Sequence, residues 1–186
     1  MKTVMRALVG VSVLAGTLIV TRPANAVLKD LVNEFTVTSS GTGWCMGVAG
    51  GNPAPGTSLI LWQCNGNADQ NWTPATFWGS YIQLKNGINS GLCAGLAGGA
   101  TNNGTQLQNN TCHSPNSADD QGWLPIFQMW DATGHACNIY QNQKYFSQTG
   151  GQRVFGVSGG AGFVKNGTNI ILWDYLGHSD QIWCTY

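Results

Sequence analysis

The apolar positions of this chain fall in short runs broken by turn residues, and the stretch Cys45–Trp72 sets the pattern. A brief apolar run, Cys45-Met46-Gly47-Val48, is followed by a Gly/Pro-rich break. Gly56-Thr57 then opens an alternating segment that ends at Leu61-Trp62. A second cysteine follows, and the stretch closes on Asp69-Gln70-Asn71-Trp72. Short strand, turn, short strand, turn is the pattern of a β-protein.

The chain repeats this pattern twice more. The second copy runs from Cys93 to Trp123 and the third from Val154 to Trp183. Each carries a Gly-Gly pair, a Gly-Thr pair and a terminal Asp-Gln-x-Trp, in the same order. Repetition of this kind signals a supersecondary unit that cannot bury its apolar face alone, so three units must share one core. If Gln-x-Trp lies in a strand, Gln and Trp face the same side and the residue between them faces away. Three such units related by rotation place three indoles around one axis, each bringing a large apolar area to the core. Each Gln beside an indole must find hydrogen-bond partners.

These landmarks resemble the ricin-B-type lectin domain, an all-β, β-trefoil family of three pseudo-repeats with four short strands each. The residues that carry the resemblance are Cys45-Met46-Gly47-Val48, Gly56-Thr57, Leu61-Trp62, Cys64-Asn65-Gly66 and Gln70-x-Trp72, with their second and third copies. The resemblance spans residues 27–186, with repeats near 36–73, 74–124 and 125–186. It implies the fold more firmly than an activity, since one fold carries many functions.

Between the copies the pattern is less regular. Leu28, Leu31, Val32 and Phe35 have helical spacing, but the segment is short for an isolated helix and reads as a strand after a short arm. Tyr81-Ile82-Gln83-Leu84 alternates and opens the second repeat. Leu124–Gln143 reads as the last strand of repeat two followed by an insertion.

Residues 1–26 change the charge and the compartment. Lys2 and Arg6 precede an apolar run from Ala7 to Val20, and Ala24-Asn25-Ala26 is a small-x-small cleavage site. This is the pattern of a secretory signal peptide, too short to span a bilayer. The remaining chain holds five Lys and Arg against eight Asp and Glu. A weakly acidic balance disfavours nucleic acid and anionic membrane surfaces as partners. Few charges, abundant Gly and eight Trp suit a polar, neutral ligand.

Six cysteines fit an oxidising compartment. Cys45 and Cys64 have the same spacing as Cys93 and Cys112, and the third copy has Val154 and Asp174 instead. Repeat symmetry selects Cys45–Cys64, Cys93–Cys112 and, for the remaining two, Cys137–Cys184. No C-x-x-C pattern supports a metal site, and no motif implies a cofactor.

In ricin-B-type lectins each repeat can hold a sugar. The pocket uses an Asp just after the first cysteine, a polar residue two before an aromatic, that aromatic, and two polar residues ahead of the closing Trp. Here the Asp position is Gly47, Gly95 and Gly156. The aromatic is Trp62 and Trp173 but Asn110 in copy two, and the polar residue before it is Ile60, Gln108 and Ile171. The last pair is Asp69-Gln70, Asp120-Gln121 and Asp180-Gln181. The glycines either mark pockets that have lost their ligand or open room for another pose, with Asp69 or Asp180 supplying the carboxylate. The candidate sugar-binding residues are thus Trp62, Asp69, Gln70, Gln108, Asp120, Gln121, Trp173, Asp180 and Gln181.

Catalysis finds little support. Asp119 and Asp120, if in a strand, face opposite sides and cannot flank a scissile bond. His113, His135 and His178 stand apart in the sequence, and neither a nucleophile elbow nor H-E-x-x-H is present. Asn-x-Thr at Asn71, Asn103, Asn109 and Asn166 matters only in a eukaryotic secretory pathway. The expectation is a secreted, non-catalytic module for a neutral sugar. The alternative is a trefoil scaffold that binds a protein partner, as a toxin subunit or inhibitor does.

Overall fold

The computed structural model of the 186-residue chain describes residues 30–34, 43–116 and 119–186. The segment read as a leader lies outside the described residues. Twelve strands are present among the described residues: β1 (Leu31–Asn33), β2 (Trp44–Val48), β3 (Thr57–Gln63), β4 (Trp72–Trp78), β5 (Tyr81–Asn86), β6 (Leu92–Leu96), β7 (Leu107–Thr111), β8 (Trp123–Trp130), β9 (Ala136–Asn142), β10 (Arg153–Val157), β11 (Thr168–Asp174) and β12 (Trp183–Thr185). One short helix, α1 (Gln143–Thr149), joins β9 to β10.

The strands fall into three sets of four. One antiparallel ladder runs β4-β5-β8-β9-β12-β1 and forms the barrel-like part. The pairs β2–β3, β6–β7 and β10–β11 are hairpins. These hairpins hold each other in a ring. The amide of Gly56 donates to the Asn109 carbonyl at 2.8 Å, that of Gly104 to Leu172 at 2.8 Å, and that of Gly167 to Leu61 at 2.9 Å. Each hairpin therefore grips the next, and the third returns to the first. This explains the repeated Gly-Thr: all three glycines sit at φ 85°, where a side chain would be strained.

Gln106 stands at the centre of that ring. Its Nε2 lies 2.8 Å from the Leu59 carbonyl, 2.9 Å from Leu107 and 3.1 Å from Ile170. These are the equivalent carbonyls of the three hairpins, so one side chain from the second repeat marks the pseudo-threefold axis.

The three closing indoles share one core, as the repeat requires. Trp72, Trp123 and Trp183 are fully buried in a single apolar cluster. Each Nε1 donates to the matching carbonyl of its own repeat: Met46 at 2.9 Å, Ala94 at 2.9 Å and Phe155 at 3.2 Å. Phe155 packs against both Trp123 and Trp183, with ring centroids 5.1 and 5.4 Å apart.

The glutamines are also buried, but not by strand alternation. Gln70 and Gln181 end the 3-10 turns Ala68–Gln70 and Ser179–Gln181, and Gln121 lies in a turn before β8. The turn ends on Gln, and the strand begins on Trp. A second polar set holds those turns. Nδ2 of Asn86 donates to the Asp69 carbonyl at 3.0 Å, that of Asn142 to Asp120 at 3.0 Å, and that of Asn33 to Asp180 at 2.9 Å. Each Asn ends the first strand of its set and clamps the turn of another set.

Two further sequence expectations change. Leu124–Gln143 does begin with the last strand of the second set, β8, but no insertion follows directly: Ala136–Asn142 is β9, the first strand of the third set, and α1 comes after it. The inserted helix is capped by Asn142 Oδ1, which accepts from the Tyr145 amide at 3.1 Å, and it stops at Gly150 with φ 69°. The three disulfides pair as repeat symmetry selects. In the third set, however, Tyr175 rather than Asp174 occupies the place of Cys64: Gln181 Nε2 donates to the Asp174 carbonyl as Gln70 Nε2 donates to Gln63. Val154 and Tyr175 join the apolar cluster around Cys137–Cys184, so packing replaces the missing crosslink.

Substituting Trp123→Phe keeps an aromatic ring but strands the Ala94 carbonyl without its donor. A loss of roughly 1–3 kcal/mol is expected, read as a lower urea midpoint with an unchanged slope. An unchanged midpoint would show that the carbonyl finds another donor.

Candidate functional site

Two concave sites of matching construction lie against the hairpins. The first, a cavity of about 300 Å³, is lined by Val48, Gly50, Gly51, Ile60, Trp62, Asn65, Asn67 and Asp69. The second, of about 470 Å³, includes Val157, Gly159, Gly160, Ile171, Trp173, Leu176, His178, Asp180 and Gln181. Local chemistry fixes each wall. Trp62 and Trp173 lie near the ends of β3 and β11, two residues after Ile60 and Ile171, and therefore on the same strand face. Leu61 and Leu172 face the core instead. The indoles of Trp62 and Trp173 are 41% and 40% exposed, so a broad ring face is open to a ligand. The Gly-Gly pairs adopt positive φ and keep the opposite wall low.

The glycines at the family's Asp position are not empty ground. Gly47 faces Ile60 across the first hairpin, and Gly156 faces Ile171 across the third. A Cβ on Gly47 would stand 3.0 Å from Asp69 Oδ2 and 3.1 Å from Gln70 Cγ. On Gly95 it would meet Gln121 Cγ at 2.8 Å and Asp120 Oδ2 at 3.0 Å; on Gly156, Gln181 Cγ at 2.9 Å and Asp180 Oδ2 at 3.4 Å. The Asp-Gln of the closing turn fills the space in all three copies. Each site thus keeps one carboxylate, supplied by the turn instead of the strand.

That carboxylate is held from behind. Burial pushes the Asp69 pKa above the ordinary carboxylate range, and the backbone amides of Asp69 and Val48 partly offset this. Burial likewise raises Asp180, against its own amide and the nearby His178. Asp120 Oδ2 accepts from the Leu96 amide at 2.9 Å. The partner glutamines have their amide groups engaged internally. Gln70 Oε1 accepts from the Asn65 amide at 2.9 Å and its Nε2 donates to the Gln63 carbonyl at 3.0 Å. Gln121 does the same with His113 and Thr111, and Gln181 with Leu176 and Asp174. The geometry gives these glutamines a positioning role.

Each open site also leans on another repeat. Asn166 Oδ1 accepts from the Gln63 amide at 2.8 Å, next to Trp62, and Asn103 Oδ1 accepts from the Asp174 amide at 2.9 Å, next to Trp173. Two of the Asn-x-Thr asparagines thus brace the hairpin strands, and Asn109 is fully buried.

The second repeat is built differently. Gln108 faces Gly95, and Asn110 replaces the indole. The inserted helix reaches over this position, where Lys144 Nζ donates to the Gly99 carbonyl at 2.6 Å. Of the nine candidate residues, Trp62 and Asp69 line one cavity, with Gln70 fully buried beside Asp69, and Trp173, Asp180 and Gln181 line the other. Gln108, Asp120 and Gln121 lie together beneath the helix, without an aromatic partner.

The aspartate pair departs from expectation. Asp119 and Asp120 lie outside any strand and do not diverge: His113 Nδ1 is 3.0 Å from Asp119 Oδ2 and 3.8 Å from Asp120 Oδ1. The Asp119 carboxylate also accepts from Asn116 Nδ2 and the Gln121 amide, both at 2.8 Å, so it shapes the turn. His113, Asp119 and Asp120, and Asp131 with Cys137 and Cys184, are the groups among the described residues whose donor atoms lie close enough for a metal. The sulfurs of the second group are tied in a disulfide. No helix among the described residues is long and apolar enough to cross a membrane.

Residues 27–110 match the family described as ricin-type beta-trefoil lectin domain-like. The chain is a β-trefoil. Comparison with curated proteins gives no match. Among solved structures, this trefoil is similar to the designed three-fold symmetric protein ThreeFoil, with a TM-score of 0.67 at 18% identity, covering 84% of this chain and 96% of that one. It is similar to an exo-beta-1,3-galactanase from Clostridium thermocellum, with a TM-score of 0.66 at 19% identity, covering 84% of this chain but only 29% of that one. It is also similar to the Macrolepiota procera ricin B-like lectin in complex with lactose, with a TM-score of 0.57 at 18% identity, covering 83% and 90%. At such identities the likeness concerns the fold.

Within this trefoil, Gly47→Asp should set two carboxylates against each other. The variant is expected to melt lower than the parent, by more at pH 7 than near pH 4, where protonation removes the repulsion. Adding Asp69→Asn should recover much of the loss at pH 7. A Gly47→Asp penalty independent of pH would show that crowding alone is responsible.

Proposed function

We propose that this trefoil is a secreted, non-catalytic carbohydrate-binding module with two working sites, Trp62/Asp69 and Trp173/Asp180. The observation that carries the reading is an open indole face beside a held carboxylate, built twice in the same way. An aromatic face packs on the C–H side of a pyranose, and a carboxylate accepts its hydroxyls. No Lys or Arg lines either cavity, which suits a neutral sugar. Gln70 and Gln181 position the site, and the second repeat serves as a brace. Three disulfides support an oxidising destination. Two sites on one chain give avidity toward clustered glycans.

A protein-binding scaffold is the second reading. It is favoured by Phe127, Met129 and Trp130, exposed together on the β8–β9 hairpin, and by Trp78 on β4.

Glycan-array screening followed by calorimetry tests the first reading. Trp62→Ala and Trp173→Ala should each remove one site, and the double variant should lose glycan binding altogether. Binding that survives both changes would reject these sites, and a trefoil that binds no glycan but captures a partner through Trp130 would favour the scaffold.

Acidification tests the carboxylates. Because burial raises Asp69 and Asp180, protonation and loss of affinity should begin above the usual carboxylate range of about 4. Affinity should be full at neutral pH and fall as pH drops through the raised values. Asp69→Asn/Asp180→Asn should flatten that profile; an unchanged profile would assign the titration elsewhere.

A further inference from the structure

We propose that the first open site contains a self-modification site: Asn65 loses its side-chain amide to attack by the amide of Gly66, which disables that site and leaves the third-repeat site intact. Asn-Gly pairs are prone to this deamidation, because glycine puts no side chain in the way of the closing ring. The chain holds four such pairs, at Asn65, Asn86, Asn103 and Asn166.

Three of the four are held. The Gly87 amide donates to the Asn71 carbonyl at 2.8 Å, that of Gly104 to Leu172 at 2.8 Å and that of Gly167 to Leu61 at 2.9 Å, so each nucleophile is committed. Their asparagines are engaged as well. Asn86 Nδ2 donates to the Asp69 carbonyl, Asn103 Oδ1 accepts from the Asp174 amide, and Asn166 Oδ1 accepts from the Gln63 amide. The fourth pair differs in its nucleophile: the Gly66 amide makes no hydrogen bond to the described residues. Asn65 Oδ1 accepts from the Asn67 amide at 2.9 Å, which folds the side chain back across the Gly66 peptide and polarises the carbon to be attacked. Asn86 Oδ1 has the same kind of bond from the Ile88 amide, so the committed Gly87 amide is what separates the two pairs.

In the reaction the Gly66 nitrogen gives its proton to solvent base and bonds to Asn65 Cγ. The Cγ–Nδ2 bond breaks, and the departing nitrogen takes up a proton and leaves as ammonia. One water then opens the succinimide at either carbonyl, giving aspartate or, with a methylene added to the main chain, isoaspartate. Asn65 lines the first cavity with Asn67 and Asp69, so either product puts a second carboxylate in that cavity. The third repeat has Leu176-Gly177 at the matching place: the Leu176 amide donates to Gln181 Oε1 as the Asn65 amide donates to Gln70 Oε1. Leucine has no amide to lose. The effect on binding rests on the sugar-binding reading above; the modification itself does not.

Ageing the full, disulfide-bonded protein at mildly alkaline pH, then peptide mapping by mass spectrometry with an isoaspartate methyltransferase assay, tests the chemistry. Conversion at Asn65 should run at least about tenfold ahead of that at Asn86, Asn103 and Asn166, whose glycine amides must first open. Asn65→Gln should remove the fast conversion, because the longer side chain closes a less favourable ring. An intact Asn65, or equal conversion at all four pairs, would overturn the proposal. Calorimetry with a glycan found on the array reads the consequence. In Trp173→Ala, which keeps only the first site, binding should be lost in step with conversion at Asn65; in Trp62→Ala, which keeps only the third-repeat site, ageing should change nothing. Full binding by aged, converted Trp173→Ala would overturn the loss of the first site. If no glycan binds before ageing, the sugar reading falls, and the peptide map still decides the modification.

Discussion

Three buried indoles, each needing a carbonyl for its N–H, set the terms on which this chain folds. A tryptophan contributes a large apolar area, but its Nε1 cannot be buried unpaired. The chain meets that need three times with the main chain of the second strand in each set. The same strand serves the site. Met46 gives its carbonyl to Trp72, while the amide of Val48, two residues on, supports the Asp69 carboxylate. Ala94 and Leu96 do the same for Trp123 and Asp120. Gly47 and Gly95 lie between these contacts, pressed against the turn. Core and site are therefore two faces of one strand, and the site inherits its rigidity from the packing of the indoles.

Much of this was legible in the chain, because its main signals are local and repeated. The Gly-Thr pair, the closing tryptophans and the cysteine spacing recur close together; recurrence revealed three units with a shared core and the disulfide pairing, and the family resemblance those residues carry supplied the trefoil. What stayed hidden depends on contacts between repeats. Asn33 meets Asp180 from the far end of the chain, and no local pattern around Asn86 or Asn142 announces their partners. The glutamine preceding each closing indole was correctly read as buried, but alternation was the wrong reason: a 3-10 turn delivers it. The Asp119-Asp120 pair misled in the same way, since strand geometry was applied to a turn. β9 was obscured because its seven residues are all buried and show no alternation.

The three repeats have diverged in step with their surroundings. The first and third keep an exposed indole, an isoleucine two residues before it and a turn carboxylate. The second has given up the indole, retained a glutamine and gained a helix that rests on it through Lys144. The disulfides diverge too. Two hairpins carry their own crosslink, whereas the third relies on Val154 and Tyr175 and transfers its sulfurs to Cys137–Cys184, between β9 and β12. There the crosslink secures the last strand, close to where Tyr186 donates to Asp131.

Gln106 carries a lesson about copying. At a point equidistant from three equivalent carbonyls, one amide can answer all three, and here Gln106 does so while the matching positions hold Ser58 and Asn169. Copies of one unit can thus differ in side chain while staying equivalent in backbone, and the second repeat is set apart within the hairpin ring as well as at its closed site.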